Sequence, residues 1–195
     1  MKNVIRKSLV IVLMFATMFS YANEFAHTIE KNKDEITHLA FKNVTEGSVL
    51  TIKDFNGLIL YKEIIEKAGE YSKEFNLTAL PNGNYLFELD KTFEIKIIPF
   101  KVNNNQVVFD KEKESIIFKP TVIAKDGIVK IHSVFLNNKP LNVKFYYENG
   151  DLIYSENIEN KQILNKVYDF TTSLKGNYRI VFNNDKRTFV ENVKI

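Results

Sequence analysis

The stretch Val143-Lys144-Phe145-Tyr146-Tyr147-Glu148-Asn149-Gly150-Asp151-Leu152-Ile153-Tyr154 carries the pattern that decides the fold. Its first half alternates apolar and polar side chains, which is the period of a half-buried β-strand. The dipeptide Asn149-Gly150 follows, and it is the strongest short-range signal for a hairpin with a type I′ turn. A second apolar run, Leu152–Ile158, begins directly after it. The stretch therefore predicts a tight β-hairpin with positive φ at both turn residues.

The same pattern occurs 93 residues earlier in the chain. Tyr61 and Glu63 correspond to Tyr154 and Glu156 at this offset. A repeat of this length is too long for a solenoid unit but suits a whole small domain. The turn and strand-start residues shared by the two copies are Asn56, Gly57, Gly83, Asn84 and Tyr85 in the first and Asn149, Gly150, Gly176, Asn177 and Tyr178 in the second.

The repeat predicts an all-β protein made of two tandem immunoglobulin-like β-sandwich domains. Each copy holds about seven short runs rich in β-branched and aromatic residues, separated by Gly, Asn and Asp turns. We expect the first domain at residues 23–100 and the second at 115–195, each folding as a separate unit. Residues 101–114 are predicted to be a linker or an extra hairpin. One continuous sandwich with two similar halves is the alternative, and a barrel is the competing fold.

Two repeated tyrosines are predicted to be structural. Tyr85 and Tyr178 each follow Gly-Asn and open an alternating strand, so each shares the apolar face of that strand. We expect each ring to pack on the core and each hydroxyl to reach nearby backbone, as in a tyrosine corner. The alternative is a binding-site tyrosine repeated once per domain.

The first 22 residues have the three parts of a secretory signal peptide. Lys2, Arg6 and Lys7 precede an apolar run of about eleven residues, too short for a spanning helix of roughly 18 or more. Small residues at Ser20 and Ala22 predict cleavage after Ala22. We therefore expect export to the periplasm, the outer surface or the medium, and no transmembrane segment in the mature chain. A membrane anchor is the alternative reading.

Charge and cysteine content restrict the function further. The chain has 27 Lys and Arg and 24 Asp and Glu. Three basic and no acidic residues fall in the first 22, which leaves 24 of each sign afterwards. A net charge of zero argues against nucleic-acid binding, which requires a surplus of cations. With no cysteine in the chain, stability must come from apolar cores and not from disulfides.

No pattern of catalytic or metal-binding residues emerges from the sequence. His27, His38 and His132 lack the spacing of a metal motif, and no nucleophile elbow or phosphate-binding glycine loop is present. The repeated Glu63 and Glu156 are expected on solvated strand faces of separate domains. We therefore predict no catalytic, cofactor-binding or metal-binding residues and no cofactor. Tyr146 is predicted to be an exposed aromatic able to stack on a sugar or a peptide, since its neighbours take the opposite face.

The layout of the two copies resembles a known group of bacterial modules. Each copy has a strand, an Asn-Gly turn, a second strand and later a Leu shortly before Gly-Asn-Tyr, in Ile52–Gly57 with Leu80–Tyr85 and in Val143–Tyr154 with Leu174–Ile180. This layout is similar to small exported two-repeat Ig-like proteins and to the C-terminal sorting domains of type IX secretion cargo. The resemblance covers most of the mature chain and implies a β-sandwich fold and export.

These observations predict a non-enzymatic binding or structural module of the cell envelope or cell surface. A protein or a glycan is the expected kind of partner. The alternative is type IX cargo or an accessory protein whose last repeat acts as a sorting signal, and the third reading is an enzyme with an unrecognised site.

Overall fold

The computed structural model describes residues 27–31, 36–135, 139–159, 163–184 and 187–195. These residues form sixteen β-strands and two 3-10 helices, Leu77–Ala79 and Lys111–Lys113, and contain no α-helix. The predicted all-β class is therefore confirmed. The predicted signal peptide lies outside the described residues. In the part of the chain that the structure describes, no helix is long and apolar enough to cross a membrane.

The strands recur in the same order along the chain. The first nine are β1 (His27–Lys31), β2 (Thr37–Val44), β3 (Val49–Asp54), β4 (Ile59–Ile64), β5 (Gly69–Phe75), β6 (Gly83–Asp90), β7 (Glu94–Asn103), β8 (Gln106–Phe109) and β9 (Ser115–Phe118). The remaining seven are β10 (Thr121–Lys125), β11 (Ile128–Val134), β12 (Leu141–Tyr147), β13 (Leu152–Ile158), β14 (Ile163–Asp169), β15 (Asn177–Asn184) and β16 (Arg187–Lys194).

Strand pairing repeats with the strand order. The first copy has a three-stranded sheet in the order β1-β2-β5 and four strands in the order β4-β3-β6-β7. The second copy has a three-stranded sheet in the order β10-β11-β14 and a four-stranded sheet in the order β13-β12-β15-β16. Strands β8 and β9 are additions that both pair with β7. Seven antiparallel strands divided into three and four are the arrangement of an immunoglobulin-like sandwich. The chain is thus built from tandem immunoglobulin-like β-sandwiches.

By its contacts the chain divides into two compact units. Among the described residues, unit 1 comprises those up to 86 and residues 99–110, and unit 2 comprises residues 87–98 and those from 111 onward. The predicted limits of two independently folding domains, 23–100 and 115–195, stay a prediction.

The core of unit 2 follows from strand alternation. Val143 and Phe145 of β12 and Ile180 and Phe182 of β15 are fully buried and join residues of β11 and β14 in one apolar cluster. Their neighbours on the same strands, such as Lys144, point to the other side of the sheet. The four-stranded sheet therefore buries one face and leaves the opposite face for solvent.

The apolar run of residues 116–124 is divided at a proline. The structure has two strands there, β9 and β10, separated by Lys119-Pro120. Proline has no backbone N–H and cannot donate to a ladder, so the chain changes partner there. Strand β9 pairs with β7, whereas β10 pairs with β11.

The two Asn-Gly turns also differ from the prediction. Gly57 and Gly150 have φ of 88° and 92°, but among the described residues positive φ outside glycine occurs only at Asn43, Asn104, Asn105 and Asp126. The Gly57 N–H donates to the Asp54 carbonyl at 3.1 Å, and the Gly150 N–H to the Tyr147 carbonyl at 2.9 Å. This is the pattern of a three-residue loop whose last residue is left-handed, not of a type I′ turn.

Two-residue loops with positive φ occur elsewhere in the chain. Asp126 and Gly127 have φ of 53° and 77° between β10 and β11. Asn104 and Asn105 have φ of 48° and 62° between β7 and β8. Because both residues of each loop take the left-handed conformation, these are the turns that match type I′.

Candidate functional site

Tyr85 and Tyr178 lie in the cores and hold an end of their strands. They are 8% and 3% exposed. The Tyr85 hydroxyl donates to the Pro81 carbonyl at 2.8 Å, and the Tyr178 hydroxyl donates to the Leu174 carbonyl at 2.6 Å. Burial raises the pKa of Tyr178, which keeps the hydroxyl a donor. Both rings therefore pack in the core, and both hydroxyls bond to backbone, as expected for a tyrosine corner.

The other repeated residues support the same strand starts. A Cβ on Gly176 would lie 2.8 Å from the Tyr147 hydroxyl, and one on Gly83 would lie 3.2 Å from the Tyr85 hydroxyl. The backbone and side-chain amides of Asn177 both donate to the Glu148 carboxylate at 3.1 Å. Asn84 and Asn56 are exposed, and the Asn149 side-chain oxygen accepts from the Asp151 N–H at 3.0 Å.

Tyr146 lies on the solvent side of unit 2, next to Arg179. Residue 146 of β12 is opposite Leu152 of β13 on one side and Arg179 of β15 on the other. The Arg179 guanidinium carbon is 4.9 Å from the centre of the Tyr146 ring, within the range of a cation–π contact. We call the solvent side of β12, β13, β15 and β16 the outer face.

The outer face combines cations with neutral hydrogen-bonding groups. The strand registers place Lys144, Arg179 and Lys194 on this face, and Arg179 and Lys194 are exposed. Glu148 lies just beyond the end of β12, and its carboxylate accepts from Asn177. The neutral polar side chains on the same registers are Asn142, Ser155, Asn157, Asn177, Asn183, Thr188 and Asn192.

Hydrogen bonds between strands order part of this polar set. The Asn142 side-chain amide donates to the Asn157 side-chain oxygen at 2.6 Å. The Thr188 hydroxyl donates to the Asn183 side-chain oxygen at 2.8 Å. Side chains linked in this way lose less conformational entropy when a ligand binds to them.

A carboxylate cluster occurs in each unit, and sequence reasoning missed both. In unit 1, Glu63 accepts from the hydroxyls of Tyr61 and Tyr71 and from the Lys73 ammonium, the last at 2.6 Å. Glu63 was expected on a solvated strand face, but its side chain instead joins β4 to β5, which belong to different sheets.

The equivalent cluster of unit 2 surrounds Glu156. This carboxylate accepts from Lys166, from the Tyr168 hydroxyl at 3.1 Å and from the Tyr154 hydroxyl at 3.4 Å. It joins β13 to β14, again strands of different sheets. Lys73 and Lys166 are themselves 93 residues apart. Their correspondence at the repeat offset is the sequence feature that could have indicated both clusters.

Hydrogen bonding makes both clusters sensitive to pH. The bond from Lys73, followed by that from Tyr61, lowers the pKa of Glu63, and the bond from Lys166 lowers the pKa of Glu156. Burial, followed by the neighbouring glutamate, raises the pKa of Tyr71 and of Tyr168. All these shifts favour a charged glutamate beside neutral tyrosines.

The lowered glutamate pKa values predict a loss of stability in acid. A carboxyl whose pKa is lower in the folded state stabilises the fold above its unfolded pKa of about 4.3, and this contribution is lost as the pH falls through the folded pKa. Urea unfolding should be measured at several pH values between 3 and 7. The free energy of unfolding should fall less steeply towards acid pH in the double variant Glu63→Gln, Glu156→Gln than in the wild type. Glu70→Gln, at an exposed position, is the control, and equal slopes for all three proteins would contradict the prediction.

His38 and His132 occupy the equivalent strands β2 and β11, and His27 lies on β1. His38 Nε2 is 2.7 Å from the Ser72 hydroxyl, and His132 Nδ1 is 2.7 Å from the Asn165 side-chain oxygen. The His27 ring is 6.1 Å from that of Phe41. Within the described ranges, no group of three or more His, Cys, Asp or Glu is close enough to hold a metal ion.

A cavity of about 630 Å³ lies in unit 2, beside β9. Its wall is mainly apolar and includes Ile116, Phe118 and Phe135. Burial lowers the pKa of Lys96 at its edge, partly offset by the carboxylates of Glu114 and Glu94. The buried Asn184 amide at its lining donates to the carbonyls of Lys139 and Pro140, so this amide already has protein partners.

Comparison with known proteins adds little beyond the topology. No protein-family model matches the chain, and no curated protein matches it. Similar solved structures include the BSP domain of a biofilm-associated protein, at 12% identity and TM-score 0.30, with 87% of this chain and 29% of that chain covered. The FN1–FN3 domains of chicken CNTN1 match at 9% identity and TM-score 0.30, with coverage of 88% and 67%. The human OSCAR ligand-binding domain matches at 10% identity and TM-score 0.26, with 87% of this chain and 96% of that chain covered.

This chain therefore spans less than a third of the first of these structures. The class of the protein follows from its strand order: it is an all-β protein of tandem immunoglobulin-like sandwiches.

Proposed function

We propose that this chain is a non-enzymatic binding module, exported to the cell envelope or cell surface, and that the outer face of unit 2 is its binding surface. The observation that supports this most is the cation–π pair of Tyr146 and Arg179 on that face. Tyr146 was expected to be exposed but is half-buried, whereas Arg179 is exposed. Tyrosine and arginine are among the residue types that most often dominate binding energies.

The strands under this pair make the surface rigid. Strand β12 is hydrogen-bonded to β13 and β15, and β15 is hydrogen-bonded to β12 and β16. Both strands are also anchored from below by fully buried side chains such as Phe145 and Ile180. Side chains on such strands hold their positions better than side chains on loops.

Cosedimentation with washed envelope material from the producing bacterium tests the proposal. The wild-type protein should bind saturably, and the double variant Tyr146→Ala, Arg179→Ala should bind about tenfold more weakly, because two central contacts are lost. Lys130→Ala is the matched control, since Lys130 is an exposed cation on β11. Equal binding by the wild type and the double variant would overturn the proposal.

Export as type IX cargo, with the last repeat as a sorting signal, is the alternative proposal. It is supported by the layout that both copies share and differs from the first proposal in where the signal is read. Deleting residues 192–195 should then trap the protein in the periplasm, whereas a periplasmic binding module would stay where it was. The deletion also removes the hydrogen bonds between Gly176 and Ile195, so a melting curve must show that the variant is folded.

A further inference from the structure

We infer that the outer face binds an acidic glycan, a polysaccharide whose sugars carry carboxylate or sulfate groups. This inference rests on the proposed function and names the ligand class of the same surface. It follows from the charge, the hydrogen-bonding groups and the shape of the outer face.

The charge of the outer face is positive on three neighbouring strands. Lys144 of β12, Arg179 of β15 and Lys194 of β16 point to this side, and the registers of the four strands place no Asp or Glu among them. The Glu148 carboxylate, bonded to Asn177, borders this face and lines a pocket with Arg179 and Asn192, so three cations are set against one carboxylate. Residues 23–195 have as many acidic as basic side chains, so the positive charge is a property of this face and not of the chain. An anionic ligand is the complementary one.

The neutral groups of the outer face match sugar hydroxyls. A hydroxyl both donates and accepts, and a side-chain amide offers two donors and an acceptor within one group. Five asparagines, Ser155 and Thr188 supply such groups on adjacent strands. A ligand with many hydroxyls can therefore find a partner on each of the four strands.

One row of side chains crosses all four strands. Leu152, Tyr146, Arg179 and Asn192 are successive partners in the register, and with strands about 4.8 Å apart the row is about 14 Å long. This is the length of a short oligosaccharide. The Tyr146 ring offers an apolar platform for a sugar ring. The Arg179 guanidinium beside this ring carries a fork of N–H donors that matches a carboxylate in a bidentate bond.

The same surface suits an acidic peptide less well. An extended peptide binds a sheet best along an unpaired edge, but the central strands β12 and β15 are paired on both sides. The core of a protein interface is also depleted in charged residues. The outer face is mainly charged and polar, and its aliphatic side chains at the described registers are only Leu152, Val181 and Val190.

Isothermal titration of the mature chain with three probes tests the inference. Polygalacturonate is the acidic glycan, dextran the neutral glycan and poly-glutamate the acidic peptide. We expect binding of polygalacturonate that weakens as salt is added. Arg179→Gln and Lys144→Gln should each weaken this binding about tenfold, the value of one charge-assisted hydrogen bond. Lys130→Gln, a loss of the same charge elsewhere on unit 2, should leave it unchanged.

Each of the other possible titration results would contradict one part of the inference. Equal binding of dextran would show that charge does not select the ligand, and equal or tighter binding of poly-glutamate would make the partner an acidic peptide. In both cases the envelope cosedimentation of the proposed function would still hold. Loss of binding in Lys130→Gln to the same extent would show that general charge acts and not this face. Absence of binding to all three probes, with envelope binding intact, would reject the ligand class alone.

Discussion

Tyr178→Ala should lower the free energy of unfolding by about 3–5 kcal/mol, as expected for removing a large buried aromatic side chain. The ring is 3% exposed and lies 5.2 Å from the rings of both Phe170 and Tyr147. Its removal leaves a cavity between the two sheets of unit 2 and also removes the hydroxyl that donates to the Leu174 carbonyl. Urea unfolding monitored by circular dichroism measures the difference.

Tyr178→Phe separates the ring from the hydroxyl. Phenylalanine keeps the packing and loses one hydrogen bond, so this variant should lose only about 1 kcal/mol. Tyr85 makes the same bond to Pro81, and Tyr85→Phe is the matched variant in unit 1. If Tyr178→Ala were as stable as the wild type, the tyrosine would have to be an exposed binding residue and the core assignment would be wrong.

Arg187→Met should cost about 3 kcal/mol, the second large effect. Glu88 is 5% exposed. Its carboxylate accepts hydrogen bonds from both terminal guanidinium nitrogens of Arg187, at 3.2 Å and 2.6 Å. Methionine keeps much of the volume but removes the charge that compensates this buried carboxylate. Breaking a buried pair by removing one partner is strongly destabilising. Chemical denaturation at pH 7 provides the measurement.

A double variant isolates the effect of charge. Glu88→Leu combined with Arg187→Met removes both charges, so it should lose less stability than Arg187→Met alone. Lys73→Met, at the more exposed pair with Glu63, should cost well under 1 kcal/mol. A loss at Arg187 no larger than that at Lys73 would contradict a compensating role for the buried pair.

Strand positions and core residues could be predicted because they depend on local alternation. The period of two placed Phe145, Ile180 and Tyr178 on the apolar side of their strands, where the structure has them buried. The same alternation placed Tyr146 on the opposite side. The repeat of 93 residues indicated that the second sheet order would copy the first, since similar patterns in similar order bury similar faces.

The features that could not be predicted depend on contacts between distant residues. The Asn-Gly dipeptide fits loops of two or three residues, and the loop length is set by the register of the flanking strands and not by the dipeptide. Glu63 meets Tyr71 and Lys73 only because β4 and β5 approach each other from different sheets. Likewise Arg179 lies beside Tyr146 through pairing of β12 with β15, across 33 residues of sequence.

We propose that the outer face of unit 2 is the binding surface, and a ligand titration observed residue by residue tests this most directly. Unlabelled polygalacturonate would be added to the ¹⁵N-labelled protein while the backbone amide resonances are followed by NMR. The largest shifts should fall on Lys144, Tyr146, Arg179 and Asn192, whose side chains share that face. Shifts concentrated instead on β10, β11 and β14, or around the cavity beside β9, would contradict it.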